Sequence, residues 1–103
     1  MDRSITEERI TMKTFIIERE VPGASKLTLA EMAEISRTSN QAVESLGVPY
    51  VWVRTYVAGD KLYCVHEAET DEIVREHARR GGFPADVVVE VVAEFGPETA
   101  VAA

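Results

Sequence analysis

The pattern of apolar and polar positions predicts four strands. A two-residue alternation, or a concentration of β-branched and aromatic residues, is typical of strands that have one buried face. It occurs in segments 13–20, 50–57, 61–68 and 87–95. The second and third segments are separated only by a short turn around Gly59, which predicts a hairpin.

Two further segments carry the signals of helices. Thr28 and Glu31 have the spacing of a capping box, and the apolar residues that follow keep to one helical stripe until Gly47. Thr70 is suited to cap a second helix, whose acidic first turn and basic last turn complement the helix dipole. The run from Gly81 to Pro84 ends this helix.

The resulting order is β-α-β-β-α-β, which predicts one α+β domain over residues 13–97. Residues 1–12 and 98–103 are expected to be flexible tails. Two helices cannot cover both faces of a four-stranded antiparallel sheet, so the other face must meet water, a ligand or another subunit. We expect this open face to form a homodimer.

Alternation assigns side chains to the two faces of the sheet. On the second strand Val51, Val53 and Val57 are expected to face the helices. The open face then carries Tyr50, Trp52, Arg54 and Tyr56, beside Ile16, Glu18 and Glu20 of the first strand. The third strand allows two registers, and a slip of one residue exchanges Tyr63, Val65 and Glu67 with Leu62, Cys64 and His66.

Composition narrows the classes of partner. The 103 residues have a formal net charge of −7 without a cluster of basic and aromatic residues, so nucleic acid is not expected as a partner. Apolar runs are much shorter than the roughly 20 residues of a membrane span, and the N-terminus is too polar for a signal peptide. The single cysteine, Cys64, agrees with a reducing compartment. We expect a cytoplasmic protein without membrane contact.

Glu18 and Glu20 are candidate metal ligands because residues two apart on a strand share a face. Their backbones lie roughly 6.5–7 Å apart, which allows two flexible carboxylates to converge on one cation. A solvated strand end is the alternative interpretation. His66 and His77 lie on different elements, so any imidazole site must be assembled in three dimensions. A buried structural role is the alternative for His77.

Three segments together resemble a known family. FIIEREVPGASKLT, VWVRTYVAGDKLYCV and IVREHARRGGFPADVV are similar to a family of small actinobacterial nickel-binding proteins, formerly a domain of unknown function. REHARRGGFPA, residues 75–85, is the most specific part. The resemblance implies a ferredoxin-like fold of the dimeric α+β barrel type. It also implies Ni²⁺ or a similar divalent ion, for which Glu18, Glu20 and His77 match positions able to supply ligands.

Two departures from the family pattern affect the ligand set. Relatives often carry histidine where this chain has Arg54, and a guanidinium cannot ligate a metal. His66 lies where relatives often have tyrosine, so it can supply the missing imidazole if the hairpin register turns it to the same face.

These observations lead to one preferred function and two alternatives. The preferred one is a non-catalytic homodimer that binds nickel through Glu18, Glu20, His77 and His66. The first alternative is a small isomerase or cofactor-free oxygenase with a pocket between sheet and helices. That pocket would use the two histidines together with Cys64, Tyr63, Trp52, Tyr56 and Arg54. The second alternative is a structural or regulatory partner whose open face only dimerises.

Overall fold

The structure is a computed structural model that describes residues 11–102. Its strands are β1 (Lys13–Glu20), β2 (Val51–Ala58), β3 (Lys61–Ala68) and β4 (Val87–Glu90). Its helices are α1 (Leu29–Leu46) and α2 (Asp71–Gly81), and short 3₁₀ helices span Ala24–Lys26 and Pro97–Val101. The chain order is therefore β-α-β-β-α-β, as the periodicity predicts. No helix among the described residues is both long enough and apolar enough to cross a membrane.

The four strands form one antiparallel sheet in the order β2-β3-β1-β4. The two central strands, β1 and β3, are each the first strand of a βαβ unit, which is the arrangement of a ferredoxin-like fold. In β1 and β3 alternate residues are buried, so each strand presents one face to the helices and one away from them. The predicted fold class is confirmed.

Both long helices begin at the predicted caps. The Thr28 hydroxyl accepts a hydrogen bond from the Glu31 backbone N–H at 3.1 Å, and the Glu31 carboxylate accepts one from the Thr28 N–H at 2.9 Å. The Thr70 hydroxyl accepts from the Ile73 N–H at 3.2 Å. Gly47 ends α1 with φ 69°, a left-handed conformation that favours glycine.

The core lies between the sheet and the helices. It is built from Phe15, Ile17, Ala24, Tyr50, Leu62, Cys64, Ala68 and Val74, all buried. Ile17 and Val74 have no exposed surface. The other face of the sheet exposes its large apolar side chains, for example Ile16 at 39% and Val89 at 54%. The expected contrast between a covered and an open face is therefore present in this chain.

A β-bulge in β2 changes the faces predicted for that strand. Trp52 pairs with His66 and Arg54 pairs with Val65, which leaves Val53 as an extra residue between them. The alternation consequently shifts by one residue: Trp52 lies on the helix side, whereas Val51 lies on the open side. The predictions for Trp52, Val51 and Tyr50 are wrong for this reason, because strict alternation cannot represent an inserted residue. Tyr50, predicted on the open face, is buried in the core, whereas Val53 borders the helix side as predicted.

The register of β3 is settled by its pairing with β1. Phe15 pairs with His66 and Ile17 with Cys64, so His66 and Cys64 face the helices. Strand β4 is shorter than the predicted segment 87–95 and ends at Glu90. The predicted N-terminal tail lies mostly outside the described residues, and the 3₁₀ helix Pro97–Val101 has no buried residue.

Candidate ligand and metal site

A cavity of about 490 Å³ opens between α1 and the helix-facing side of β2 and β3. Its volume is within the range of small-molecule sites. Polar side chains in its wall are those of Arg19, Ser36, Ser39, Arg54, Thr55, Cys64, His66 and His77, together with Trp52. Apolar side chains complete the wall, among them Leu27, Met32, Ile35, Val57, Leu62 and Phe83.

The two histidines of the chain meet at this cavity. His66 comes from β3 and His77 from α2, and their ring centroids are 5.1 Å apart. Tyr50, just before β2, stacks on His77 with centroids 5.0 Å apart and meets the edge of His66 at 5.3 Å. Both imidazoles are only 1% exposed. The sheet and α2 thus bring together two rings that the sequence places on different elements.

His77 has one ring nitrogen without a partner. Its Nε2 lies 3.3 Å from the Ser39 carbonyl oxygen, which can only accept, so Nε2 carries the hydrogen. The same nitrogen lies 3.2 Å from the Ser39 hydroxyl. Nδ1 therefore holds a lone pair, and this buried atom has no hydrogen-bond partner among residues 11–102. A buried lone pair of this kind fits a metal ion or a donor group of a ligand.

His66 is held by Tyr50. The Tyr50 hydroxyl oxygen and His66 Nδ1 are 2.6 Å apart, which orients the imidazole. Burial lowers the pKa of His66 to about 3, and the neighbouring His77 and Arg19 add to this effect. Burial also lowers the pKa of His77 and raises the pKa of Tyr50. Both imidazoles are thus neutral near pH 7, the form in which histidine ligates metals.

A buried arginine lies in the same wall. Arg19 is 3% exposed, and its Nε donates to Cys64 Sγ at 3.4 Å. Its Nη1 donates to the Pro84 carbonyl oxygen, and its guanidinium carbon lies 5.5 Å from the centre of the Phe83 ring. Within residues 11–102, no carboxylate forms a salt bridge with Arg19. The cavity therefore contains a fixed positive charge.

Cys64 is surrounded by donors rather than by a base. Besides Arg19, the Thr55 hydroxyl donates to Cys64 Sγ at 3.2 Å. The Thr55 oxygen in turn accepts from Trp52 Nε1 at 2.9 Å. These hydrogen bonds depend on the bulge in β2, because the bulge places both Trp52 and Thr55 on the helix side.

The predicted carboxylate ligands lie on the opposite side of the sheet. Glu18 belongs to the open face of β1, where it pairs with Tyr63 of β3. Lys61 Nζ lies 3.4 Å from a Glu18 carboxylate oxygen and 3.6 Å from one of Glu20. Within the described part of the chain, no group of three or more His, Cys, Asp or Glu side chains is arranged to hold a metal. The sheet separates Glu18 and Glu20 from the histidines.

The residues predicted for a pocket are likewise divided. Cys64, Trp52 and Arg54 border the cavity, as do both histidines. Tyr63 and Tyr56 do not, because they form a cross-strand pair on the open face. Arg19, Tyr50 and Ser39 were not predicted as site residues. Arg19 had a detectable signal, since it is a charged residue that follows Phe15 and Ile17 on the same face of the strand.

Comparison with known proteins identifies a family and a fold. Residues 15–91 match the family described as nickel responsive protein SCO4226-like. No curated protein matches the chain. A solved structure, "Crystal structure analysis of SCO4226 from Streptomyces coelicolor A3(2)", is similar with a TM-score of 0.66 and 18% sequence identity. The alignment covers 80% of this chain and 99% of that one.

Proposed function

Because this chain belongs to the SCO4226-like nickel responsive family, we propose that it binds Ni²⁺ as a non-catalytic cytoplasmic homodimer. One observation carries the metal part of the proposal: two neutral buried imidazoles meet at a cavity, and Nδ1 of His77 has no partner among residues 11–102. In this proposal His66 and His77 are the ligands that the chain supplies. Water completes the coordination of an ion that prefers six ligands.

The glutamates are not ligands in this proposal. Glu18 and Glu20 already share the ammonium of Lys61, and the sheet lies between them and both histidines. Moving them to the cavity would require rebuilding the register of β1. Arg54 borders the cavity but offers no lone pair, so it is not a ligand either.

The absence of catalysis is supported by the surroundings of the histidines. Neither imidazole is hydrogen-bonded to a carboxylate among the described residues; their partners are Tyr50 and Ser39. A general base usually needs such a partner to stabilise the imidazolium that forms when it takes a proton. Here burial opposes that charge, as the lowered pKa of His66 shows.

The homodimer part of the proposal rests on the open face. Ile16, Val87 and Val89 belong to neighbouring strands and are 38–54% exposed. Tyr56, Tyr63 and Val51 extend this apolar surface across β3 and β2. If the open faces of two copies packed against each other, both apolar surfaces would be buried in a closed, symmetric dimer.

A second candidate function is favoured by the size of the cavity. A volume of about 490 Å³ with a cysteine, two histidines and an apolar wall is also suited to a small isomerase or cofactor-free oxygenase. Turnover of a small organic substrate by the metal-free protein would favour this candidate over the nickel-binding one.

Native mass spectrometry with and without Ni²⁺ tests the proposal because it reports subunit number and metal count together. We expect a species of twice 11.4 kDa that gains Ni²⁺ in proportion to its subunits. His77→Gln should lose the ion, whereas the double variant Glu18→Gln, Glu20→Gln should keep it. Ile16→Lys should give a monomer, because it places a charge in the apolar face. Circular dichroism confirms that each variant is folded.

Three results would contradict parts of the proposal separately. Absence of Ni²⁺ from the wild-type protein would remove the metal function. Loss of the ion in the glutamate variant but not in His77→Gln would indicate that the metal site lies on the open face. A dimer that persists in Ile16→Lys would show that the open face is not the interface.

A further inference from the structure

The cavity carries a positive charge that nickel binding does not use. Arg19 is almost completely buried, yet its recorded partners are a thiol and a carbonyl, both formally neutral acceptors. Burying an unpaired charge is costly, and proteins normally place a carboxylate beside it. None of the carboxylates among residues 11–102 does so.

Three contacts hold the guanidinium of Arg19 in a fixed position. Nε donates to Cys64, Nη1 donates to the Pro84 carbonyl oxygen, and the Phe83 ring lies against the planar group. Gly81 permits this arrangement, because a Cβ at that position would clash with the Phe83 ring. The remaining N–H groups have no acceptor among the described residues, and Arg19 forms part of the cavity wall.

The rest of the wall restricts the chemistry of a ligand. Near Arg19, Leu62 and Val57 follow one another across the sheet, and Leu27, Met32 and Ile35 continue the apolar surface. Inorganic anions would leave this surface in contact with water. An amphipathic molecule would cover it and place one acidic group on the guanidinium.

We propose that the cavity binds a small organic monocarboxylate, with its carboxylate on Arg19 and its apolar part between α1 and β2. A planar guanidinium matches a carboxylate in shape and charge, which makes this the acid group that Arg19 recognises best. His77, whose buried Nδ1 has no partner among residues 11–102, belongs to the same wall.

Octanoate is a suitable probe because 1-octanol has the same chain length without the charge. Isothermal titration is carried out on the full chain in the presence of EDTA, so that the result does not depend on nickel. We expect octanoate to bind at least tenfold more tightly than octanol, since a charge-assisted hydrogen bond contributes more than a neutral one. Equal affinities for the two compounds would overturn the assignment of Arg19.

Two variants locate the site. Arg19→Gln should reduce octanoate affinity about tenfold and leave octanol unchanged, whereas Arg19→Lys should retain part of the preference. If Arg19→Gln does not fold, Val53→Trp replaces it, because Val53 lies in the cavity wall but is 44% exposed. This larger side chain should block both compounds. Octanoate binding that survives in a folded Arg19→Gln and in Val53→Trp would place the ligand elsewhere and contradict the proposal.

Discussion

The two faces of the sheet are built from alternate residues of the same strands, yet their chemistry differs in kind. The helix-facing side of β1 and β3 buries a histidine, an arginine and a cysteine, and the histidine, His66, meets His77 of α2. The open side carries valines, tyrosines and an isoleucine, with Glu18, Glu20 and Lys61 at one end and two further charges, Arg54 and Glu67, in β2 and β3. Buried polar side chains thus lie on the covered side, and exposed apolar side chains lie on the uncovered side.

This difference between the faces assigns the two parts of the proposed function to different sides of the sheet: metal binding to the covered side and dimerisation to the open side. A buried face that consisted only of apolar side chains would be more stable but could not bind an ion or an anion. An open face of charged side chains would be more soluble as a monomer but would not dimerise. Neighbouring residues on one strand therefore serve different purposes, and substitutions at adjacent positions should have unlike effects.

The largest difference is expected between Ile17 and Ile16. Ile17 is fully buried, so Ile17→Ala should lower the free energy of unfolding by about 2–5 kcal/mol through lost burial and a cavity. Ile16 is 39% exposed, and Ile16→Ala should cost under about 1 kcal/mol when the protein is dilute.

Urea unfolding at two protein concentrations measures both variants. Dimerisation through the open face adds a concentration-dependent loss to Ile16→Ala alone. A loss in dilute protein as large as that of Ile17→Ala would contradict the separation of the faces.

The next effect is a pH dependence that only the buried face should produce. His66 has a folded pKa of about 3 against 6.5 for the ordinary group, so the unfolded chain binds a proton that the folded chain excludes. Stability should therefore fall as the pH decreases through 6.5. Between pH 7 and pH 5 the loss from His66 is about 2 kcal/mol.

The lowered pKa of His77 acts in the same direction. His66→Gln serves as the control, because an amide does not titrate and its urea-unfolding profile should be flatter than that of the wild type. A variant that keeps the full slope between pH 7 and pH 5 would show that His66 is not the group responsible.

The sequence predicts the elements well because the signals for them are local. Caps at Thr28 and Thr70, the turn at Gly59 and the alternation in β1 each depend on neighbouring residues, and each predicted element forms. The bulge at Val53 is different: Val51, Val53 and Val57 follow a regular alternation, and only the packing of Trp52 against His66 and Thr55 breaks it.

The candidate site could be predicted only in part, for a related reason. His66 and His77 were identified by residue type, but their meeting depends on the register of β3 and the position of α2, which are long-range properties. Glu18 and Glu20 share a face, as alternation predicts, although it is not the face of the histidines. Arg19 was visible as a charge on an apolar face, and only the structure shows that it lines a cavity.

The smallest expected effect compares one hydroxyl on each side of the sheet. Tyr50→Phe removes the group that lies 2.6 Å from His66 Nδ1 and should lower the free energy of unfolding by about 1 kcal/mol. Tyr56→Phe is the matched control, because Tyr56 is 57% exposed and its hydroxyl has no hydrogen bond within residues 11–102. We expect it to change stability by less than about 0.5 kcal/mol.

A double-mutant cycle sharpens this comparison. Combined with His66→Gln, Tyr50→Phe should cost less than it does alone, because the two side chains share one interaction and their effects do not add. Tyr56→Phe should add to His66→Gln without coupling. Equal behaviour of the two tyrosines in urea unfolding would mean that the hydroxyl of Tyr50 does not hold His66. The orientation of that imidazole would then have to come from its stacking with Tyr50 and His77 alone.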